Sequence, residues 1–317
     1  GEKIPEGSIP SIKLAPHQSK IVHIPVPKIF VEPGVEYFMF VQFRTKDKLP
    51  LLPENHLVAW EQFEIPIWKD LDPLKLHNFP DLSVEENDEN IIIRGTEFSY
   101  TMSKKSGRLS SMNYKNNPLL KEPLIPNFWR APVDNDLGNH MPQRCKIWKN
   151  EGSLSELRDV KTIIDSPKKV TISTVLDLPA SGSTLKVDYS FFSNGMIKIN
   201  NHFIPGSTDL PELPKIGMSL EMPGDYLNMS WFGRGPHESY WDRKTGAPVG
   251  FYSGTVWEQY HPYVRPQEFG NKTDVRWMAL QNDIGFGLLV TAKQPMNMSA
   301  WQIRISDIEN KKQNEPN

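Results

Sequence analysis

The sequence predicts an all-β fold, and three observations carry that prediction. The 317 residues hold 28 Pro and only 8 Ala, so the best helix former is rare and the strongest helix breaker abundant. From residue 90 onward, short apolar–polar segments recur roughly every 8–15 residues with turn residues between them. Asn194-Gly195 lies between two such segments and is a strong two-residue hairpin signal. The same composition disfavours a helical bundle and a complete β/α barrel.

Taken in chain order, residues 35–43 place Val35, Tyr37, Met39, Val41 and Phe43 on one strand face. Phe38 and Phe40 fall on the other face, which predicts cover on both sides. Residues 19–26 and 57–65 are expected as neighbouring strands. About four strands fit into residues 1–68, fewer than the roughly seven of a sandwich, so this region is expected as a partial domain. Residues 69–89 contain Pro73, Pro80 and the acidic run Glu85-Glu86-Asn87-Asp88-Glu89, the composition of a solvated linker. Strands are then expected at 91–94, 97–102 and 108–112, with Gly107 turning the last hairpin. Further strands are expected at 169–176, 185–192, 196–203, 216–222 and 284–291. Tyr189/Phe191 and Ile197/Ile199 alternate with period two. Residues 142–150 are expected as a short helix carrying Ile147 and Trp148 on one side. Residues 90–317 thus form one β-rich region, large for a simple sandwich.

Charge and cysteine content narrow the function classes. Lys and Arg total 36 against 38 Asp and Glu, a net charge of −2, which offers phosphates no excess of positive charge and disfavours nucleic-acid binding. Cys145 has no partner in the chain, which excludes an internal disulfide framework and Cys-rich zinc sites. One cysteine is compatible with a bacterial cytoplasm or periplasm alike. The longest apolar run, residues 284–292, is interrupted by Gly285 and Gly287 and is about half a membrane span, so no membrane association is expected. Gly1-Glu2-Lys3 has no signal-peptide pattern, and a first residue other than Met suggests a piece of a longer protein.

Several side chains invite a chemical role. Asp134-Asn135-Asp136-Leu137-Gly138 resembles the start of a calcium loop but lacks its third oxygen ligand and its closing Glu. It is read instead as a tight turn whose side chains bond nearby backbone, with Arg130 pairing to Asp134 or Asp136. Gly233-Arg234-Gly235-Pro236-His237-Glu238 is followed by no helix and is not a phosphate loop. His237 is expected as a structural, hydrogen-bonded histidine. Glycoside hydrolysis needs two facing carboxylates; Asp134, Asp136, Glu238, Asp242, Glu258, Glu268 and Asp274 are candidates that spacing alone does not pair. Eleven aromatic residues fall from Trp231 to Trp277 inclusive. They suit core packing first, and stacking on sugar rings second.

Three segments carry a family resemblance. Arg130-Ala131-Pro132-Val133-Asp134-Asn135-Asp136 resembles a signature of the large β-galactosidases of glycoside hydrolase family 2. Gly233-Arg234-Gly235-Pro236-His237-Glu238-Ser239-Tyr240-Trp241-Asp242-Arg243 is similar to a second, and Tyr263-Val264-Arg265-Pro266-Gln267-Glu268-Phe269-Gly270 to a third, with Phe269 in place of the usual Asn. Ala59-Trp60-Glu61-Gln62-Phe63 resembles the end of the preceding family domain.

The resemblance implies a large antiparallel supersandwich, galactose mutarotase-like, over residues 90–317, preceded by a partial immunoglobulin-like β-sandwich. It implies the accessory C-terminal part of a β-galactosidase, inactive alone, whose β-galactoside is bound by a catalytic barrel upstream. The family's magnesium and sodium sites also lie outside this region, so no catalytic residue, metal ligand or cofactor is carried over. Arg130, Asp134, Asn135, Asp136, Glu238, Asp242, Arg243 and Glu268 are expected as structural motif residues. Trp241, Trp257 and Tyr263 are the carbohydrate-facing candidates. Only 18 residues follow Ser299, with no Trp after Trp301, so the family's later Trp that reaches the sugar is expected to be missing. The rival readings are a stand-alone carbohydrate-binding module on a mutarotase-like sheet and a mutarotase-like epimerase. The apolar strand at 35–43 also predicts docking or association with a second copy, a homo-oligomer.

Overall fold

The computed structural model describes residues 2, 4, 6–73 and 75–310, so the polar end at 311–317 lies outside the described residues. The fold is all-β and antiparallel throughout, as predicted. The chain divides into two compact units, residues 1–74 with 248–250, and residues 75–247 with 251–317.

In the first unit, β1 (Tyr37–Arg44) pairs with β2 (Leu57–Ile65) as a ribbon. Its Tyr37 is buried, accepts from the Glu32 N–H at 2.9 Å and donates to the Phe30 carbonyl at 3.1 Å. Such a tyrosine, bonded back to backbone a few residues upstream, is the corner device of immunoglobulin-type sandwiches. Phe40 stacks on Trp60 across the ribbon at 5.2 Å. Two expectations fail here. Residues 19–26 form no strand, because a chain broken by Pro25 and Pro27 loses ladder donors, and Ile21 is left 84% exposed. The ribbon is not covered on both sides either, since Phe40, Phe43 and Phe63 stay exposed.

The second unit opens with β3 (Ser83–Glu86), β4 (Asn90–Arg94), β5 (Phe98–Ser103), β6 (Leu109–Tyr114) and β7 (Asn117–Pro118), joined in that order as one sheet. β3 corrects the linker reading of residues 69–89. Its Val84 packs on the core, while Glu85 and Glu86 are exposed on this edge strand and pair with Arg94 and Lys104. The Asn87 side chain closes the turn by accepting from the Glu89 and Asn90 N–H groups. β8 (Glu122–Asn127) follows, and then two short helices, α1 (Asp134–Gly138) and α2 (Met141–Arg144). The helix expected at 142–150 is therefore broken: a single 3-10 turn, Lys146–Trp148, follows α2 and puts Trp148 into the core. Cys145, between them, is fully buried.

A second sheet runs in the order β12-β11-β10-β9, built from β9 (Glu156–Ser166), β10 (Lys169–Leu178), β11 (Ser183–Phe192) and β12 (Ile197–Ile204). The hairpin at Asn194-Gly195 forms as read; Gly195 takes φ +86°, a conformation costly for other residues. Alternation decides the faces. Ile172, Leu176, Val187, Tyr189 and Phe191 are buried against Ile91, Ile93, Tyr100 and Met102 of the first sheet. Each large side chain so buried stabilises by about 1.5–3 kcal/mol. Lys169, Thr171, Ser173, Asp188, Ser190, Lys198 and Asn200 point the other way. β13 (Gly217–Glu221) pairs with β8. A last sheet, in the order β15-β14-β16-β17, comprises β14 (Asn228–Arg234), β15 (Val249–Thr255), β16 (Lys272–Gln281) and β17 (Gly287–Met298), and α3 (Ile305–Asn310) follows. Its core holds Met229, Trp231, Val275 and Met278. Among the described residues no helix is long and apolar enough to cross a membrane.

Candidate functional site

The three motifs identified in the sequence meet in the second unit, joined by hydrogen bonds of which those to Glu238 are charged. In the first motif, Arg130 forks onto Asp136, with Nη1–Oδ2 at 2.5 Å and Nη2–Oδ1 at 2.8 Å. Asp136 also accepts from the Val133 N–H at 2.9 Å, which caps α1, so the segment expected as a tight turn forms a short helix. Asp134 and Asn135 are exposed; the Asp134 N–H donates to the Gln267 side chain of the third motif at 3.2 Å.

Second and third motifs are joined at Glu238. Its carboxylate accepts from the Tyr263 hydroxyl, from Arg243 and, at 2.7 Å, from the Gly270 N–H. Burial would raise this carboxyl, but those donors outweigh it and hold it below its usual range. Arg243 also donates to Tyr263 at 2.7 Å and lies over the Tyr240 ring. Asn271 and Ser239 exchange two further bonds, both at 2.8 Å. Asp242 is exposed.

Glu268 is the buried charge of the group. It is 3% exposed, 3.6 Å from Lys215, and its Oε2 has no hydrogen-bond partner. Burial raises its carboxyl, opposed in part by Lys215 and Arg130. Lys272, buried beneath Trp231 and donating to the Pro236 carbonyl at 3.0 Å, is pushed down to about 8 by burial. Sequence reasoning missed Lys272, because a lysine opening a strand reads as solvated.

The carbohydrate-facing candidates are scattered. Trp241 is 70% exposed with Lys244 over its ring, and Trp257 is 58% exposed beside Tyr260. Tyr263 spends its hydroxyl on Glu238 and Arg243. Space among Tyr260, Tyr263, Phe269 and Ile308 amounts to about 10 Å³, room for no more than about one water. His237, expected to be hydrogen-bonded, is exposed in a loop, because its motif turns through Gly235-Pro236 instead of continuing as a strand. Phe269 stacks on Trp301, whose indole donates to the Phe269 carbonyl at 2.9 Å, so the last tryptophan braces the third motif. Among the described residues no group of three or more His, Cys, Asp or Glu is arranged to hold a metal ion. The cluster cross-links the chain: Glu238 ties the second motif to the third, and the Asp134 N–H bond to Gln267 ties the first to the third.

Comparison with known proteins matches two stretches of the chain. The family described as "Beta galactosidase small chain" matches residues 94–316, and "Beta-galactosidase, domain 4" matches residues 1–66. The chain is similar to a β-galactosidase of Priestia megaterium, 38% identical over 274 residues, covering 86% of this chain and 26% of that protein. It is similar to those of Lactobacillus delbrueckii subsp. bulgaricus, 33% identical over 93% of the chain and 29% of the relative, and Streptococcus thermophilus, 30% identical over 81% and 25%. The chain thus spans less than a third of the length of these relatives.

Proposed function

The chain belongs to the β-galactosidase small-chain family, and from that membership we propose that it is the non-catalytic C-terminal part of an enzyme hydrolysing terminal β-D-galactosides. The observation that carries this reading is the order of the two matches, domain 4 over residues 1–66 and then the small chain over 94–316. Geometry supports it. Hydrolysis of a glycosidic bond needs an acid and a second carboxylate at a fixed separation across the sugar. Asp136 and Glu238 are instead each committed to an arginine, and Glu268 is closed off from solvent. In this reading the galactoside and the magnesium and sodium ions are held by the barrel, and these residues keep a rigid block beside it.

The test is direct. Residues 1–317, purified alone, leave a chromogenic β-galactoside unhydrolysed. Turnover that co-purifies with the chain and vanishes in Glu238→Gln or Glu268→Gln would overturn the proposal.

A further inference from the structure

One hollow in the second unit is unconnected with the three motifs. It measures about 500 Å³ and lies on the outer face of the β12-β11-β10-β9 sheet. Small-molecule sites commonly fall between about 300 and 1,000 Å³. Strand register builds it. Thr171 stands opposite Ser190, which stands opposite Lys198; Ser173 stands opposite Asp188, which stands opposite Asn200. Two transverse rows of polar side chains therefore cross three strands on one face.

The floor is made of hydroxyls. Thr171 and Ser190 are 9% and 6% exposed although they lie on the outward face. Their oxygens are 3.0 Å apart, and Thr171 donates to Asp165 at 2.6 Å. Each hydroxyl keeps acceptor capacity that these contacts do not use. Lys198 and Asn200, on the wall, have no hydrogen-bond or ion-pair partner among the described residues. The Phe192 ring, paired across from Lys169, supplies one apolar surface.

Charge then selects the ligand class. Asp165 and Asp188 balance Lys169 and Lys198, so the lining is neutral and mixed in sign. An anion would meet two carboxylates, an apolar ligand would strand the hydroxyl floor, and a cation would meet two ammonium groups. A neutral polyol with a C–H face satisfies all of it: hydroxyls both donate and accept, and the ring lies on Phe192.

We propose that this hollow binds a neutral saccharide of two or three rings, at a site separate from the motif cluster. The inference stands on the sheet face alone, so it does not depend on the hydrolytic reading.

Calorimetric titration of the 317-residue chain with lactose, maltose, cellobiose and maltotriose tests it. At least one of them binds saturably with a millimolar dissociation constant. Lys198→Ala and Asn200→Ala each weaken that binding by about tenfold or more while leaving the melting temperature unchanged, because both side chains are exposed on the outer face and bond to nothing else among the described residues. Absence of saturable heat with all four sugars up to about 50 mM would overturn the proposal, as would binding that both variants leave intact. Loss of self-association in the variants, seen by light scattering without a change in sugar affinity, would mark the hollow as a contact between copies and equally overturn it.

Discussion

Replacing Arg130 by lysine tests whether the first motif is held by a fork or merely by charge. Arg130 gives Asp136 two bonds, at 2.5 and 2.8 Å, from side chains 28% and 8% exposed. A lysine keeps the charge but supplies a single point donor, so one of the two charge-assisted bonds is lost. A hydrogen bond to a charged group contributes about 1.5–3 kcal/mol, and the retained bond to Val133 offsets none of that. The loss should lower the melting transition of the second unit by roughly 3–12 °C, at about 2–4 °C per kcal/mol for a domain of this size. Asp136→Asn should cost a similar amount. The double variant should cost far less than the sum, since both single changes break the same pair. Scanning calorimetry of the four proteins closes the cycle. An unchanged transition in Arg130→Lys, or strictly additive losses in the double variant, would refute the argument.

Three further outcomes follow from the same coordinates. Lys272 is held near 8 by burial against an ordinary value of 10.5, so the folded chain binds fewer protons than the unfolded one between those values and stability rises with pH there. Relative to Lys272→Met, the wild type should gain about 2 kcal/mol between about pH 7.5 and 9.5, and a flat difference in urea unfolding would refute this. At Gly152 a Cβ would lie 1.8 Å from the Pro126 carbonyl oxygen; Gly152→Ala should therefore destabilise by more than about 3 kcal/mol, and a small change in the urea midpoint would show that the backbone yields. Phe43, 59% exposed on the β1–β2 ribbon, should promote concentration-dependent association that Phe43→Lys reduces in light scattering, an expectation refuted if the wild type stays monomeric.

Alternation made the second sheet legible. Tyr189/Phe191 and Ile197/Ile199 point inward around Asn194-Gly195 as period and turn chemistry require. β9 hid because its apolar residues are interleaved with charge along an edge strand, as in Arg158, Asp159 and Lys161. β16 hid behind its opening Lys272 and Asp274, the latter at φ +51° where the register shifts. In the site, Arg130 and Asp136 lie six residues apart in one turn, so their pairing was readable. Glu238 reaches Tyr263 and Gly270 across 25 and 32 residues, contacts that only the packed sheets create. Lys272 was unreadable for the converse reason: nothing in its flanks says that Trp231 will cover it.

Cys145 gives the molecule a hidden stopwatch. It is the only thiol in the chain and is fully sealed between α2 and the turn that carries Trp148. Any reagent that alkylates it must wait for that region to open, so the rate of labelling counts openings of the second unit with no dye or tag added. Slow reagent-limited labelling would measure the fraction of time the native block stands open, and labelling that outpaces reclosing would measure how often it opens.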